Sequence, residues 1–217
     1  MHKGMKVLGI LLLFLGLIFS TGNLYKWWKG KQSVQTISST ISESNSYSEE
    51  KEPRFNEKMA VGAKEEKDQQ TVENVSTLKH NFSLGQKIGK LIVPALNKSY
   101  SLYWGTNPSV LSQGVGMYVS RWTTVPNAKK GHTVLSGHRD TVFTGLGKLK
   151  KGDIFWVTFN GQKRKYRIEK IWVTDANDRT VITKKKKPTL TLTTCYPFDY
   201  IGNAPERYIV QSSLISN

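Results

Sequence analysis

The sequence has 217 residues, of which 32 are Lys or Arg and 16 are Asp or Glu, so its formal charge is +16. Its single Cys excludes an internal disulfide and cysteine-rich zinc sites. A basic excess of this size calls for an anionic partner, and its location along the chain narrows the choice. Residues 1–31 contribute +5, residues 32–80 contribute −3 and residues 81–217 contribute +14.

Residues 1–31 are predicted to form a cytoplasmic N-terminus and a membrane anchor. The run from Val7 to Phe19 is apolar, and extension to Tyr25 gives 19 residues, enough for a helix to cross a bilayer. Two tryptophans beside lysines follow it, as is typical of a membrane interface, and no A-x-A cleavage site follows the apolar run. Lysines flank the run on both sides, so charge alone does not fix its orientation. We expect a retained single-pass anchor rather than a cleaved signal or a buried helix.

Residues 32–80 are predicted to be a disordered or weakly helical tether. Ser, Thr and mixed charges dominate this segment, and its few apolar residues cannot offset the entropy cost of ordering. Such a tether would hold the folded domain, residues 81–217, close to the bilayer but outside it.

The folded domain shows short β-type runs separated by turn residues. Strands are expected at Lys90–Val93, Ser101–Tyr103, Val115–Val119, Gly131–Leu135, Asp153–Phe159, Lys165–Thr174, Thr189–Cys195 and Tyr208–Leu214. Asn160-Gly161 predicts a tight hairpin, and Asn107 predicts the cap of a short helix over 108–113. Eight short strands with little helix predict an all-β, antiparallel-rich barrel or sandwich.

The only thiol lies at the end of one of these strands. In the segment Thr189–Cys195 the side chains alternate, so Leu190 and Leu192 share one face while Cys195 projects from the other, with the threonines. A structural Cys is more often found on the apolar face. Cys195 is therefore a candidate nucleophile, although a buried small side chain or a dimerising thiol also fits.

A thiol nucleophile needs a base nearby. His80 lies at the edge of the tether, and His132 begins an apolar run, where a half-buried strand histidine is expected. His138 follows Ser-Gly, where the strand ends, and a strand-to-loop junction is well placed for a cleft. The run Lys184–Lys187 could contact nucleic acid, but its place between a loop and a strand favours a solvated turn, and no base-stacking or recognition-helix pattern accompanies it.

Three segments together resemble the sortases, the cysteine transpeptidases of Gram-positive cell walls. Thr191–Cys195 (TLTTC) resembles the sortase TLxTC signature, Thr133–Asp140 (TVLSGHRD) the strand that ends in the catalytic histidine, and Pro205–Val210 (PERYIV) the strand with the essential arginine. The order His, Cys, Arg also matches, and GHRDTVFTGLGKLKKGD is most similar to the class D branch. The resemblance covers roughly residues 88–215 and implies an eight-stranded sortase-type β-barrel with short helices.

The resemblance also implies a mechanism. Cys195 would attack the carbonyl after Thr in an LPxT-type sorting signal, His138 would be the general acid and base, and Arg207 would bind the substrate backbone or the oxyanion. Thr194 is a candidate substrate contact. An amino group of a peptidoglycan precursor would accept the surface protein, and no metal or cofactor is required. Anionic wall polymers and lipid headgroups are further candidate partners; nucleic acid is not expected.

Other functions remain open on the sequence. A membrane-tethered, wall-binding β-domain would use the charge alone and would not need Cys195. An L,D-transpeptidase would carry Ser-His-Gly before its Cys, where Thr193-Thr194 stands, and a papain-like hydrolase would place Cys before His in the chain. A pilus-polymerising sortase usually carries an Asp-Pro-aromatic lid, and residues 81–100 show none, so anchoring of single proteins is preferred.

Overall fold

The protein is described here by a computed structural model that covers residues 11–17, 20–22, 24–25, 28, 32–37, 82–127, 129–200, 202 and 204–216. In chain order the strands in these residues are β1 Val34–Thr36, β2 Lys87–Val93, β3 Lys98–Trp104, β4 Val115–Met117, β5 Gly131–Ser136, β6 Ile154–Phe159, β7 Gln162–Asp175, β8 Pro188–Tyr196 and β9 Glu206–Ser216. Within the described residues from 82 onward, one short helix, α1, spans Pro108–Leu111, and single 3-10 turns lie at Pro94–Leu96 and Leu146–Lys148.

Strands β2 to β9 close into an eight-stranded barrel. They are hydrogen-bonded in the order β3-β2-β6-β7-β9-β8-β5-β4, and β4 pairs with β3 to complete the circle. Only the β3–β4 and β5–β8 pairs are parallel among them. The eight strands expected from the sequence are confirmed, and the choice between barrel and sandwich is settled by the β3–β4 pairing.

The turn at Asn160-Gly161 forms the predicted hairpin. Phe159 of β6 pairs directly with Gln162 of β7, so the connection has only these two residues. Both have positive φ, 50° at Asn160 and 71° at Gly161, which is the backbone of the tight turn that matches the twist of a β-hairpin. Likewise, the side chain of Asn107 caps α1 by accepting a hydrogen bond from the Val110 amide at 3.1 Å.

The barrel interior is filled by alternate residues of each strand. In β6 the burial alternates along the strand, so that Phe155, Val157 and Phe159 face inward. On β8 the inward residues include Leu190 and Leu192, both fully buried in the same cluster. Because side chains alternate along a strand, Cys195 belongs to the opposite, outer face of β8. This is the face that the sequence pattern predicted.

A further strand lies outside the barrel, within the segment expected to be a tether. Val34–Thr36 form β1, which pairs antiparallel with Lys98–Tyr100 of β3. Ser33 continues the contact, since its carbonyl accepts from the Ser101 amide at 3.2 Å. This position is open because β4 pairs only with residues 102–104, at the other end of β3. The start of the expected tether is therefore ordered as strand, and residues 38–81 lie outside the described residues.

The predicted membrane span falls partly outside the described residues. Residues 11–17 are helical, and their leucine and phenylalanine side chains are exposed. Within the part of the chain that the structure covers, no helix is both long and apolar enough to cross a bilayer.

Candidate active site

His138 follows the end of β5, and Cys195 is the next-to-last residue of β8, the neighbouring strand that runs in the same direction. Ser136 of β5 is in register with Thr193 of β8. The two chains stay bonded one residue further, because the Gly137 amide donates to the Thr193 carbonyl at 3.2 Å. Parallel strands end at the same edge of a sheet, so this pairing brings the next residues, His138 and Cys195, to one edge of the barrel.

Thr194 completes this link. Its hydroxyl donates to the Gly137 carbonyl at 2.7 Å, and its side chain is only 3% exposed. The hydrogen bond joins the residue before His138 to the residue before Cys195. The sequence predicted Thr194 as a candidate substrate contact. In the structure its side chain lies on the inner face of β8 and its hydroxyl bonds the backbone, so that it joins the two segments.

Arg207 lies opposite Cys195 in the antiparallel β8–β9 pair. Directly opposite residues project from the same face, so the thiol and the guanidinium share the outer face. Nη1 of Arg207 donates to the carbonyls of Glu206 at 2.8 Å and Ala204 at 3.1 Å. None of the described residues accepts from its Nε or Nη2, which leaves these donors for a ligand.

The turn after His138 packs tightly against the preceding glycine. A Cβ atom on Gly137 would lie 2.6 Å from a methyl group of Val142 and 2.8 Å from the ring of Phe143. The Phe143 amide in turn donates to the His138 carbonyl at 2.9 Å. Gly137 therefore allows the turn to fold back, while the His138 side chain stays exposed at the edge. Cys195 beside it is half-buried and is a free thiol.

Three aromatic rings support the ends of β8 and β9 behind the site. Tyr196 and Tyr208, which follow Cys195 and Arg207, stack with ring centroids 6.0 Å apart, and Phe198 meets Tyr208 at 5.1 Å. Burial, with a smaller contribution from Tyr196, raises the pKa of Tyr208. The cluster fixes the two strand ends through ring packing.

His132 is placed away from the edge, as a structural residue. It is fully buried, its Nδ1 lies 2.9 Å from the Thr183 carbonyl and its Nε2 lies 2.7 Å from the Thr191 hydroxyl. Burial lowers the pKa of His132 to about 4, so the ring is neutral at pH 7, donating to Thr183 and accepting from Thr191. The sequence expected a half-buried strand histidine; the β7–β8 loop, residues 176–187, covers this face and buries it completely. His80 lies outside the described residues.

A groove of about 430 Å³ opens between two loops. One wall is made by Tyr118 and Trp122, and the other by the β7–β8 loop. That loop is tied to the segment before Arg207, because the Ala176 amide donates to the Pro205 carbonyl at 2.9 Å. The groove is thus an open, mixed polar and aromatic channel that begins near the start of β9. Sequence reasoning did not identify it, because its walls come from loops without a recognisable motif.

Arg139, which the sequence analysis passed over, holds the loop between β8 and β9. Its Nη1 donates to the Pro197 carbonyl at 3.1 Å, and its Nη2 donates to the carbonyls of Gly202, at 2.9 Å, and Tyr200. Its guanidinium also lies over the Tyr200 ring, 5.8 Å from the centroid. The residue next to His138 is therefore bonded to the segment that connects Cys195 to Arg207.

A closed barrel that presents a thiol, an imidazole and a guanidinium at one edge has the architecture of a cysteine transpeptidase. A sortase-domain family model matches residues 91–215, more than half of the chain, and the chain belongs to the sortase family. The enzyme class expected from the three sequence motifs is thereby confirmed.

Curated relatives agree with this assignment. The chain is 41% identical over 133 residues to sortase D of Bacillus subtilis, an alignment that covers 61% of this chain and 66% of that protein, just under two thirds of its length. It is 24% identical over 202 residues to sortase A of Listeria monocytogenes, covering 88% of this chain and 83% of that protein. The similarity to a sortase D agrees with the class D branch that the segment beginning at Gly137-His138 indicated.

Solved structures are similar as well. The catalytic domain of sortase D from B. anthracis matches with 53% identity and a TM-score of 0.55, over 62% of this chain and 91% of that one. Sortase C of Clostridium perfringens, solved with the C-terminal cell wall sorting motif, matches with 28% identity and a TM-score of 0.58, over 63% and 75% of the two chains. The β-barrel is therefore common to relatives of both branches.

Proposed function

We propose that this protein is a membrane-anchored sortase that cleaves an LPxT-type sorting signal after Thr and transfers the released surface protein to an amino group of a peptidoglycan precursor. The observation that carries the proposal is the register of Cys195 opposite Arg207, with His138 joined to the same edge through Gly137 and Thr194. This arrangement would supply a nucleophile, an acid–base group and a fixed cation at one edge of the barrel.

The first half-reaction forms an acyl-enzyme. The thiolate of Cys195 attacks the carbonyl carbon of the Thr residue, and the carbonyl electron pair moves to oxygen. Nη1 of Arg207 donates to Ala204 and Glu206, and its remaining donors, Nε and Nη2, stabilise that oxyanion or hold the substrate backbone. When the oxyanion collapses, the C–N bond breaks and His138, as its imidazolium, donates a proton to the leaving amine. A thioester on Cys195 remains.

The second half-reaction reverses these roles. An incoming amine attacks the thioester carbon, and the neutral His138 takes the proton that the amine loses. Collapse of the second tetrahedral intermediate breaks the C–S bond and returns the thiolate. Transfer to an amine conserves the peptide bond, whereas transfer to water would hydrolyse it.

The groove supports a peptide substrate. It lies between Tyr118 and Trp122 on one side and the β7–β8 loop on the other, and its Ala176 end is tied to the segment that leads to Arg207. An extended peptide fits an open channel with aromatic and polar walls better than a closed cavity would allow. The C. perfringens sortase C structure was solved with the C-terminal cell wall sorting motif, a peptide of the same kind.

The test is a peptide reaction followed by product identification. Full-length protein in a non-ionic detergent is incubated with LPxT-type peptides that differ in the residue after Thr, with and without an added amine. We expect cleavage after Thr and, with the amine present, a new amide at that Thr. A wall-binding β-domain without enzyme activity is the rival, and folded protein that leaves every such peptide intact would favour it.

The membrane location is a further part of the proposal. Its support is the apolar run from residue 7 to residue 25, with aromatic and lysine neighbours, ahead of a basic domain. A cytoplasmic N-terminus and an extracellular barrel would place the site where surface proteins and wall precursors meet. Protease added to intact cells should digest the barrel but spare an N-terminal tag, and digestion of neither or of both would refute this topology.

A further inference from the structure

Arg139 is held at both its backbone and its side chain. Its carbonyl accepts from the Thr144 hydroxyl at 3.2 Å, within the turn that follows His138. Its guanidinium donates to three carbonyls of the β8–β9 loop, residues 197–205, and lies over the ring of Tyr200. A half-buried arginine with this many directed contacts has one preferred position.

The same loop orients Arg207. The last carbonyl before Pro205 belongs to Ala204, and it accepts from Nη1 of Arg207 at 3.1 Å. Gly202, two residues earlier, accepts from Nη2 of Arg139 at 2.9 Å. The two guanidinium groups therefore donate to carbonyls of the same loop that are only two residues apart in sequence.

Among the described residues at the tip of this loop, little else holds the backbone in place. Asp199, Tyr200 and Gly202 are exposed, so the tip buries little apolar surface. Segments of this kind open at low free-energy cost unless hydrogen bonds retain them. Arg139 provides such bonds at Pro197, just after Cys195, and again at Gly202, just before the segment that holds Arg207.

We propose that Arg139 is a positioning residue for the transpeptidation reaction, which sets Arg207 relative to His138 and Cys195 through the β8–β9 loop. Two separate nitrogens of the planar guanidinium, Nη1 and Nη2, reach these three carbonyls, and the single nitrogen of a lysine ammonium cannot occupy both positions. The inference rests on the proposed function for its kinetic part, but the anchoring of the loop stands independently of activity.

The test compares Arg139→Lys, Arg207→Lys and the double variant in thioester formation. A misplacement of about 1 Å costs on the order of 100-fold in rate, so we expect Arg139→Lys to lower kcat by about that factor while KM changes little. Because Arg139 acts through Arg207, the Arg139→Lys substitution should lower kcat much less when Arg207 is already changed to Lys. Lys170→Arg, an exchange of the same two residue types on an exposed part of β7, is the matched control and should leave kcat unchanged.

Two outcomes would overturn the inference. One is an Arg139→Lys variant with the same kcat as the control. The other is a double variant whose loss in kcat equals the product of the losses of the two single variants. Hydrogen exchange of the peptide covering residues 197–205 provides a readout without substrate. Faster exchange there in Arg139→Lys, with no change in β2 or β6, supports the anchoring even if the wild type proves inactive. Unchanged exchange would contradict it, and an inactive wild type would count against the proposed function alone.

Discussion

At the scale of single residues, the proposed site depends on groups that hold Cys195, His138 and Arg207 in place and have no reacting role in the proposal. Thr194 and Gly137 join the segments that precede Cys195 and His138 through one hydrogen bond of 2.7 Å. Arg207 reaches its place by bonding backbone carbonyls on its own strand and loop. Side chains of a catalytic constellation need this kind of support, because small displacements cost large factors in rate.

The link at Thr194 leads to a prediction for stability and activity. Thr194→Val keeps the shape of the side chain but leaves the Gly137 carbonyl without its donor, which should cost about 1 to 3 kcal/mol in the free energy of unfolding. Urea titration measures this cost, and thioester formation should also slow because His138 is less well placed. Thr194→Ser retains the hydroxyl and should keep most of the rate. If Thr194→Val were as stable and active as wild type, the link would be unimportant.

His132 gives a prediction for the pH dependence of stability. Its folded-state pKa of about 4 lies below the ordinary 6.5, so the unfolded chain binds the proton more tightly. Neutral His132 therefore makes its full contribution to the free energy of unfolding above pH 6.5. As pH falls toward 4, the protein loses about 3 kcal/mol of this stability. His132→Gln can still donate to Thr183 and accept from Thr191 but does not titrate. Chemical denaturation from pH 7 to pH 4 should show a smaller loss in this variant; an equal loss would contradict the assignment.

At the scale of elements, the barrel depends on turns whose backbone few residues can adopt. Gly161, at φ 71°, closes the β6–β7 hairpin, and apart from its own residue and its two chain neighbours no atom lies within 4 Å of where its Cβ would be. A side chain at position 161 is therefore disfavoured by the backbone conformation and not by lack of space. Gly161→Ala should cost about 1 kcal/mol of unfolding free energy. Asn160→Gly, with φ 50° in the wild type, is the control and should cost nothing. Equal stability of the two variants would contradict this account of the turn.

The local elements were predictable from sequence, and the long-range contacts were not. Alternation in Thr189–Cys195 and the Asn-Gly pair were sufficient for β8 and the hairpin, since both are local patterns. The partners of Arg139, however, are backbone carbonyls 58 to 63 residues away, and a carbonyl has no side-chain signature. The burial of His132 and the pairing of Val34–Thr36 with β3 likewise depend on segments distant in sequence. A three-residue strand is too short to show a period.

At the scale of the whole molecule, part of the positive charge of the barrel forms a row along one strand. Lys163, Lys165 and Arg167 alternate on the outer face of β7, in register with Thr158, Trp156 and Ile154 of β6. The Nζ atoms of the two lysines lie 4.7 Å and 5.9 Å from the centroid of the Trp156 ring. Cations two residues apart on a strand are spaced by about 7 Å, which forms a row that a linear polyanion can follow.

This row leads to a prediction about binding to wall polymers. Full-length protein in a non-ionic detergent should bind a poly(glycerol phosphate), with an affinity that falls as salt rises. Changing Lys163, Lys165 and Arg167 to Gln should weaken this binding more than the same loss of charge at Lys129, Lys130 and Lys187, which lie near the starts of β5 and β8. Equal losses measured by titration would show that net charge alone matters.

The central claim is that Cys195 carries the acyl group. Full-length protein is mixed with an LPxT-type peptide and no added amine, quenched in acid, and analysed by mass spectrometry as intact protein and after digestion. We predict an increase in mass equal to the peptide fragment that ends at Thr, located on the segment that contains Cys195 and removed by added amine. Cys195→Ala should show neither the adduct nor cleavage. Cleavage that persists in Cys195→Ala, or a folded wild type that forms no adduct with any such peptide, would contradict the account.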